Sequence, residues 1–241
     1  MVNIGGLIKT SLTDYPDKIS CIIFTNACNF SCPYCYNPSL VRGSVKNIKE
    51  HEIFDFLEER KNLLDGVVIT GGEPTIQIGI IEFTKKIKAL GYSVKLDTNG
   101  SRPEILKELI EKNLIDYVAM DVKAPAEKYS LVSGESLKTI NESISLIINS
   151  KVEHEFRSTV LPALHNGSDI LAMAEMIKGG KILFLQQFYS GETLDPDFKN
   201  KPAFGIEELM QIAGECSQYI PTKIRGYDTE IKMGQDAKQG K

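Results

Sequence analysis

The chain has 241 residues, 42% of them hydrophobic and 25% charged, which suits an ordinary soluble protein with one large core. A formal net charge of -4 gives no broad attraction to nucleic acid or anionic lipid, so neither is an expected partner. The N-terminus lacks a basic segment followed by an apolar h-region, and no apolar run approaches bilayer length, so secretion and membrane spanning are disfavoured and a cytoplasmic location is expected.

In chain order, short apolar runs alternate with stretches of helical period, the pattern of repeated βα units around a parallel sheet. Strands are predicted to begin near Ile19, Gly66, Tyr92, Tyr117, Val152 and Lys181. A helix is predicted over roughly 47–60, before the second strand. Ile80, Phe83, Ile87 and Leu90 recur at helical spacing, as do Ile105, Leu106, Leu109 and Ile110, and then Ile140, Ile144, Ile147 and Ile148. Six such units without a domain-sized linker predict a single domain over residues 1–241, an α/β partial (βα)6 TIM-like barrel. A polar, Lys/Gly-rich tail is expected from about Asp228.

In such an architecture the residues just past each strand converge on one rim. The first strand, with Cys21-Ile22-Ile23-Phe24, runs into a CxxxCxxC loop formed by Cys28, Cys32 and Cys35. The second runs into Gly71-Gly72-Glu73-Pro74, the third into Asp97-Thr98-Asn99-Gly100, and the fourth into Asp121-Val122-Lys123. Side chains two apart on a strand share a face, so Asp121 and Lys123 can point together. A Gly-Gly segment lets backbone approach a ligand, and the carboxylate after it can accept from a ligand ammonium. Each element alone reads as an ordinary strand-exit turn. Their occurrence at successive strand ends beside three cysteines points to a site.

Soft thiolates select zinc, copper(I) or iron-sulfur clusters, and a closed site usually takes four ligands. The loop offers three. Cys21 lies inside a strand and Cys216 on an apolar stripe with Ile206, Leu209 and Ala213, so both read as packing residues. Three thiolates can hold three corners of a 4Fe-4S cubane and leave one iron open. A zinc knuckle completed by His51, or a disulfide with one spare thiol, are the other readings. Five cysteines without a secretory signal favour a reducing compartment.

The CxxxCxxC loop, with the aromatic Tyr34 before its last cysteine, and the Gly71-Gly72-Glu73-Pro74 segment together resemble the radical S-adenosylmethionine (SAM) enzymes. The resemblance spans most of the barrel. It implies a cluster on Cys28, Cys32 and Cys35, whose open iron chelates SAM; reductive cleavage of SAM then yields a 5'-deoxyadenosyl radical that abstracts a hydrogen atom. Tyr34, Gly71, Gly72 and Glu73 are implied at the SAM site.

Within that superfamily the chain most resembles glycyl-radical enzyme activating enzymes. That likeness implies SAM contacts from Asp97, Thr98, Asn99, Asp121 and Lys123, with a monovalent cation near Asp97, Thr98 and Asp121. Arg157, in Phe156-Arg157-Ser158, is implied at the SAM site too; its alternative is an ion pair with Glu153 or Glu155. The stretch Lys9 to Pro16 and the loop Cys28 to Pro38 look most like the activating proteins of anaerobic ribonucleotide reductases. Pyruvate formate-lyase activases carry a histidine where this chain has Gln186-Gln187-Phe188, which departs from that branch. No further cysteines follow between Cys35 and Gly66, so one cluster is expected, with flavodoxin or ferredoxin as the electron donor. His51, His154 and His165 fall outside the matched motifs and read as solvated or structural. The other functional readings are a radical SAM enzyme acting on a small molecule, in the manner of a carboxy-deazaguanine synthase, and a non-catalytic zinc-binding adaptor.

Overall fold

The computed structural model describes residues 1–133 and 136–226. The polar tail expected from Asp228 lies outside the described residues. Seven parallel strands pair in chain order: β2 (Ser20–Thr25), β3 (Gly66–Gly71), β4 (Ser93–Thr98), β5 (Tyr117–Asp121), β6 (Glu153–Val160), β7 (Leu183–Gln187) and β8 (Thr222–Arg225). A first strand, β1 (Ile4–Ser11), adds to β2 antiparallel, and β1 and β8 remain the two unjoined edges of one open sheet.

Helices cover the sheet between strands. Two, α1 (Pro38–Val41) and α2 (Glu50–Glu59), follow β2, while α3 (Ile80–Ala89) follows β3 and α4 (Pro103–Glu111) follows β4. Behind β5 come α5 (Tyr129–Ser133) and α6 (Leu137–Asn149), then α7 (Gly167–Met176) after β6 and α8 (Ile206–Cys216) after β7. The predicted α/β barrel is present and stays open. The predicted six strands are β2 to β7; β1 and β8 are additions. Five of the eight residues of β1, IGGLIKTS, are glycine or polar, and β8 is only TKIR, so neither carries an apolar stripe strong enough to read locally.

The two faces of the sheet differ sharply. Cys21, Ile23, Val67, Ile69, Val94, Leu96, Val118, Met120 and Phe156 alternate onto one face and join the main core beneath the helices. Ile80, Phe83 and Ile87 of α3 are fully buried there, each worth about 1.5–3 kcal/mol of apolar burial. Cys21 and Cys216 are both free and fully buried, as packing residues should be. The opposite face carries Lys95 and Asp97, Tyr117 and Asp121, Glu155 and Arg157. On β2 and β3 the same face is apolar, with Ile22 and Val68 packed against Tyr15, so these charges are confined to β4, β5 and β6.

Among the described residues, no helix is long and apolar enough to cross a membrane.

Candidate functional site

All thirteen residues expected at the site line one cavity of about 280 Å³ at the strand ends. A larger groove, about 870 Å³, lies between α4 and α6 on the helical side, lined by surface lysines, glutamates and asparagines. It lies away from the rim and holds none of the unusual residues.

The cysteine loop is fixed at both ends by backbone hydrogen bonds. At its start Ala27 N donates to Leu40 O at 2.7 Å and Cys28 N to Val41 O at 3.3 Å, so α1 braces the exit of β2. At its end Leu194 N donates to Cys35 O and Asp195 N to Pro33 O, both at 2.9 Å. These donors belong to the long segment between β7 and α8, which therefore straps the loop from the far side. Tyr36 adds a third tie, accepting from Tyr189 N at 2.6 Å and stacking on Phe188 with ring centroids 5.5 Å apart. None of this was legible in the sequence, because the strap is irregular and meets the loop more than 150 residues away along the chain.

Cys28 Sγ accepts from Phe30 N at 3.4 Å and faces Asn99 Nδ2 at 3.9 Å. Asn99 in turn donates to Asn29 Oδ1 at 3.1 Å and accepts from Ser101 N at 2.9 Å, so its amide is oriented. Burial pushes the Cys28 thiol up to about 12 and raises Cys32 as well. Thiols in such surroundings become thiolates when a metal centre displaces the proton. Tyr34 is buried, and its hydroxyl finds no hydrogen-bond partner among the described residues.

The Gly-Gly turn is needed for close packing. A Cβ on Gly72 would sit 1.9 Å from Ala27 O, and one on Gly71, whose φ is 116°, would meet Thr25 N at 2.3 Å. This contact lets Gly72 N donate to Thr25 O and Glu73 N to Ala27 O, joining the exits of β2 and β3. Glu73 is 1% exposed, and its carboxylate already has four protein donors. Oε1 accepts from Thr75 N at 3.0 Å, Thr75 Oγ1 at 2.5 Å and Thr98 Oγ1 at 2.8 Å, while Oε2 accepts from Asn99 N at 2.7 Å. Burial raises the Glu73 pKa, and the hydrogen bonds from Thr75 and Asn99 work against that rise. Glu73 thus ties the ends of β3 and β4 together, a role its position in a ligand-facing motif did not suggest.

A row of charges crosses the strand ends. Lys95 Nζ lies 2.7 Å from Asp97 Oδ1, Arg157 Nη1 3.0 Å from Asp97 Oδ2, Arg157 Nε 2.9 Å from Asp121 Oδ1, and Lys123 Nζ 3.0 Å from Asp121 Oδ2. Burial pushes Asp97 and Asp121 up, but Arg157 first, then Lys95 for Asp97 and Lys123 for Asp121, outweigh it; Asp121 falls to about 2. Burial pulls Lys123 down, and Asp121 more than restores its charge. Arg157 therefore pairs with Asp97 and Asp121, and the alternative pairing with Glu153 or Glu155 is corrected. Glu155 is instead held by Arg225 at 2.8 and 2.9 Å and by the Tyr117 hydroxyl at 3.0 Å, while Lys181 takes Glu153. The register explains the choice: Arg157 lies directly opposite Asp121 across β5 and β6.

Sequence reasoning missed Lys95, which shares its strand face with Asp97; a lysine two residues before the strand-end aspartate was the available signal. It also missed Thr159, which lines the cavity beside Gln186. Gln187 faces the other way and donates to Phe204 O at 2.9 Å. Among the histidines, His51 is exposed and His154 is buried between Val152 O and Lys181 N. His165 is buried too: Nδ1 accepts from Leu161 N at 3.4 Å, so Nε2 donates to Lys123 O at 3.0 Å, bracing the segment that carries Lys123. Burial lowers its pKa and keeps it neutral.

The donor set fits an iron-sulfur cluster: three thiols border a cavity whose wall combines the charged row with Phe30, Tyr36 and Val41. Among the described residues, no three His, Cys, Asp or Glu side chains gather closely enough for one metal ion. A cubane needs no such group, because each thiolate takes a different iron.

The radical SAM superfamily profile matches residues 22–177, and the chain belongs to that superfamily, whose enzymes use a 4Fe-4S cluster and SAM. It is accordingly a SAM-dependent enzyme. Its relatives include a Methanocaldococcus jannaschii protein provisionally named a glycyl-radical enzyme activating enzyme, 37% identical, with 92% of this chain and 94% of that one covered. The pyruvate formate-lyase-activating enzyme of Clostridium pasteurianum is 25% identical, covering 74% of this chain and 77% of that one. A crystallised domain of the pyruvate-formate lyase-activating enzyme of Bacteroides vulgatus superposes with a TM-score of 0.55 at 17% identity, over 67% of this chain and 99% of that one, and so shares the fold.

Proposed function

We propose that this chain is a glycyl-radical enzyme activating enzyme that removes a hydrogen atom from a glycine of a partner protein, an anaerobic ribonucleotide reductase. The single observation that carries this reading is that the three loop cysteines and the Asp97-Arg157-Asp121-Lys123 row border one cavity. Likeness over nearly the whole length of the M. jannaschii relative supports the activase assignment, and the Lys9–Pro16 and Cys28–Pro38 stretches support the reductase partner.

Cys28, Cys32 and Cys35 would hold the cluster. When bound and reduced, the cluster supplies the electron that cleaves SAM. Everything else falls to the chain. Lys123 and Arg157 orient the SAM carboxylate, and Asp121 and Asp97 hold those two cations in place. The backbone beside Gly71 and Gly72 lets the methionine end approach closely. Asn99 fixes the environment of the Cys28 sulfur, and Tyr34 closes the wall behind the cavity. The open sheet leaves room at the rim for a glycine-bearing loop of the partner. The electron donor is a flavodoxin or a ferredoxin, and the compartment is the cytoplasm.

The test is to mix anaerobically reconstituted, reduced protein with SAM and an anaerobic ribonucleotide reductase, then record electron spin resonance. The expected result is a glycine-centred radical together with free 5'-deoxyadenosine. Conversion of a small metabolite, with every glycyl-radical enzyme left silent, would refute the activase reading.

A further inference from the structure

The likeness to activating enzymes implies a monovalent cation among Asp97, Thr98 and Asp121, yet every carboxylate oxygen it would use already faces a protein cation. Each of the four carboxylate oxygens of Asp97 and Asp121 faces a protein cation at 2.7 to 3.0 Å, supplied by Lys95, Arg157 and Lys123. The Thr98 hydroxyl gives its proton to Glu73 at 2.8 Å and accepts from Gly100 N at 3.1 Å. Within the row three positive groups stand against two negative ones, with Glu73 behind Thr98, and a further cation among these oxygens would face all three.

Lys95 is the third cation of the row. Its side chain is 3% exposed, comes from the middle of β4, and reaches Asp97 along the shared strand face. The ring of Tyr117 flanks the ammonium, with the centroid 5.9 Å away. A buried ammonium is costly unless paired, and Asp97 at 2.7 Å is its counter-charge.

We infer that Lys95 and Arg157 are built-in counter-cations of Asp97 and Asp121, and that the cavity takes its ligand carboxylate without a monovalent metal ion. The first part is a property of this chain alone; the second rests on the cavity being the SAM site.

The first measurement uses cluster-free protein, melted at equal ionic strength in sodium, potassium or choline chloride. Wild type is expected to melt at the same midpoint in all three. Lys95→Met, which leaves one Asp97 oxygen without its cation, is expected to melt higher in sodium or potassium than in choline. A Lys95→Met midpoint indifferent to the salt would overturn the assignment of Lys95. Should that variant not fold, wild-type crystals soaked in thallium(I) decide: no anomalous peak is expected between Asp97 and Asp121, and a peak there overturns the inference. The reconstituted wild type is then titrated with SAM in the three salts, with equal affinity expected and a requirement for sodium or potassium counting against the second part. Failure to bind SAM in any salt would sink the functional reading and leave the cation result standing.

Discussion

Single side chains at this rim have partners that fix what their loss should do. Cys32 is one of three thiols on the cavity, and two thiolates cannot retain a cubane. Cys32→Ala reconstituted anaerobically should therefore fall well below about four irons per chain, and release no 5'-deoxyadenosine. Glu73→Gln keeps the shape but aims an amide N–H₂ at donors, either Asn99 N or the Thr75 and Thr98 group. Replacing an acceptor by a donor in a buried network should destabilise by about 1–3 kcal/mol, read as a lower urea midpoint. Asp121 gives a pH signature. Its pKa is depressed from 3.8 to about 2, so its contribution to stability is complete above the unfolded value and is lost as pH falls from near 4 toward 2. Urea unfolding across that window should show wild type losing stability more steeply than Asp121→Asn; equal slopes would show that the carboxylate is not held by Arg157 and Lys123.

Elements, more than residues, hold the cysteine loop in shape. It sits between the β3 exit and the strap that joins β7 to α8, and each contributes backbone hydrogen bonds. Leu194→Pro removes the N–H that reaches Cys35 O. The lost bond is worth only about 1 kcal/mol, so the fold should survive. The reconstituted variant should lose iron to a chelator faster than wild type, followed by bleaching of its visible absorbance, and an unchanged rate would show that the strap does not support the loop. Gly72→Ala acts from the opposite side by driving a methyl into Ala27 O. Such overpacking typically costs about 1–3 kcal/mol and should lower the urea midpoint while shifting the same loop.

At the level of the whole molecule, an open sheet must stabilise its last strand without a neighbour beyond it. β8 is four residues long and pairs only with β7, yet Arg225 reaches across to Glu155 on β6 and stacks on Phe184 with its guanidinium carbon 3.4 Å from the ring centroid. Glu155 is 1% exposed, so Arg225→Ala leaves a buried carboxylate with only the Tyr117 hydroxyl. Arg225 itself is 38% exposed, so solvent screens the pair and its loss should cost about 1–3 kcal/mol in urea unfolding. A loss under half that size would mean that β8 is held by its strand pairing alone.

What the sequence determined by itself is local. Helical periodicity located α3, α4, α6 and α8, apolar runs located β2 to β7, and the chemically unusual residues followed those strands directly, so Cys28, Glu73, Asp97 and Asp121 could be assigned to one rim before any coordinates. The strands β1 and β8 escaped because their stability comes from the neighbour they pair with, and two glycines or four mixed residues carry no period of their own. Only the tertiary structure decided which charge meets which. Arg157 could equally have turned to Glu155 on its own strand face, and strand register placed it opposite Asp121 instead. The same three-dimensional packing committed the Glu73 carboxylate to Thr98 and Asn99, and set Arg157 against both Asp97 and Asp121. Strand and helix propensities are written within a few residues, whereas hydrogen-bond and ion-pair partners separated by 25 to 70 positions are chosen by the fold that brings them together.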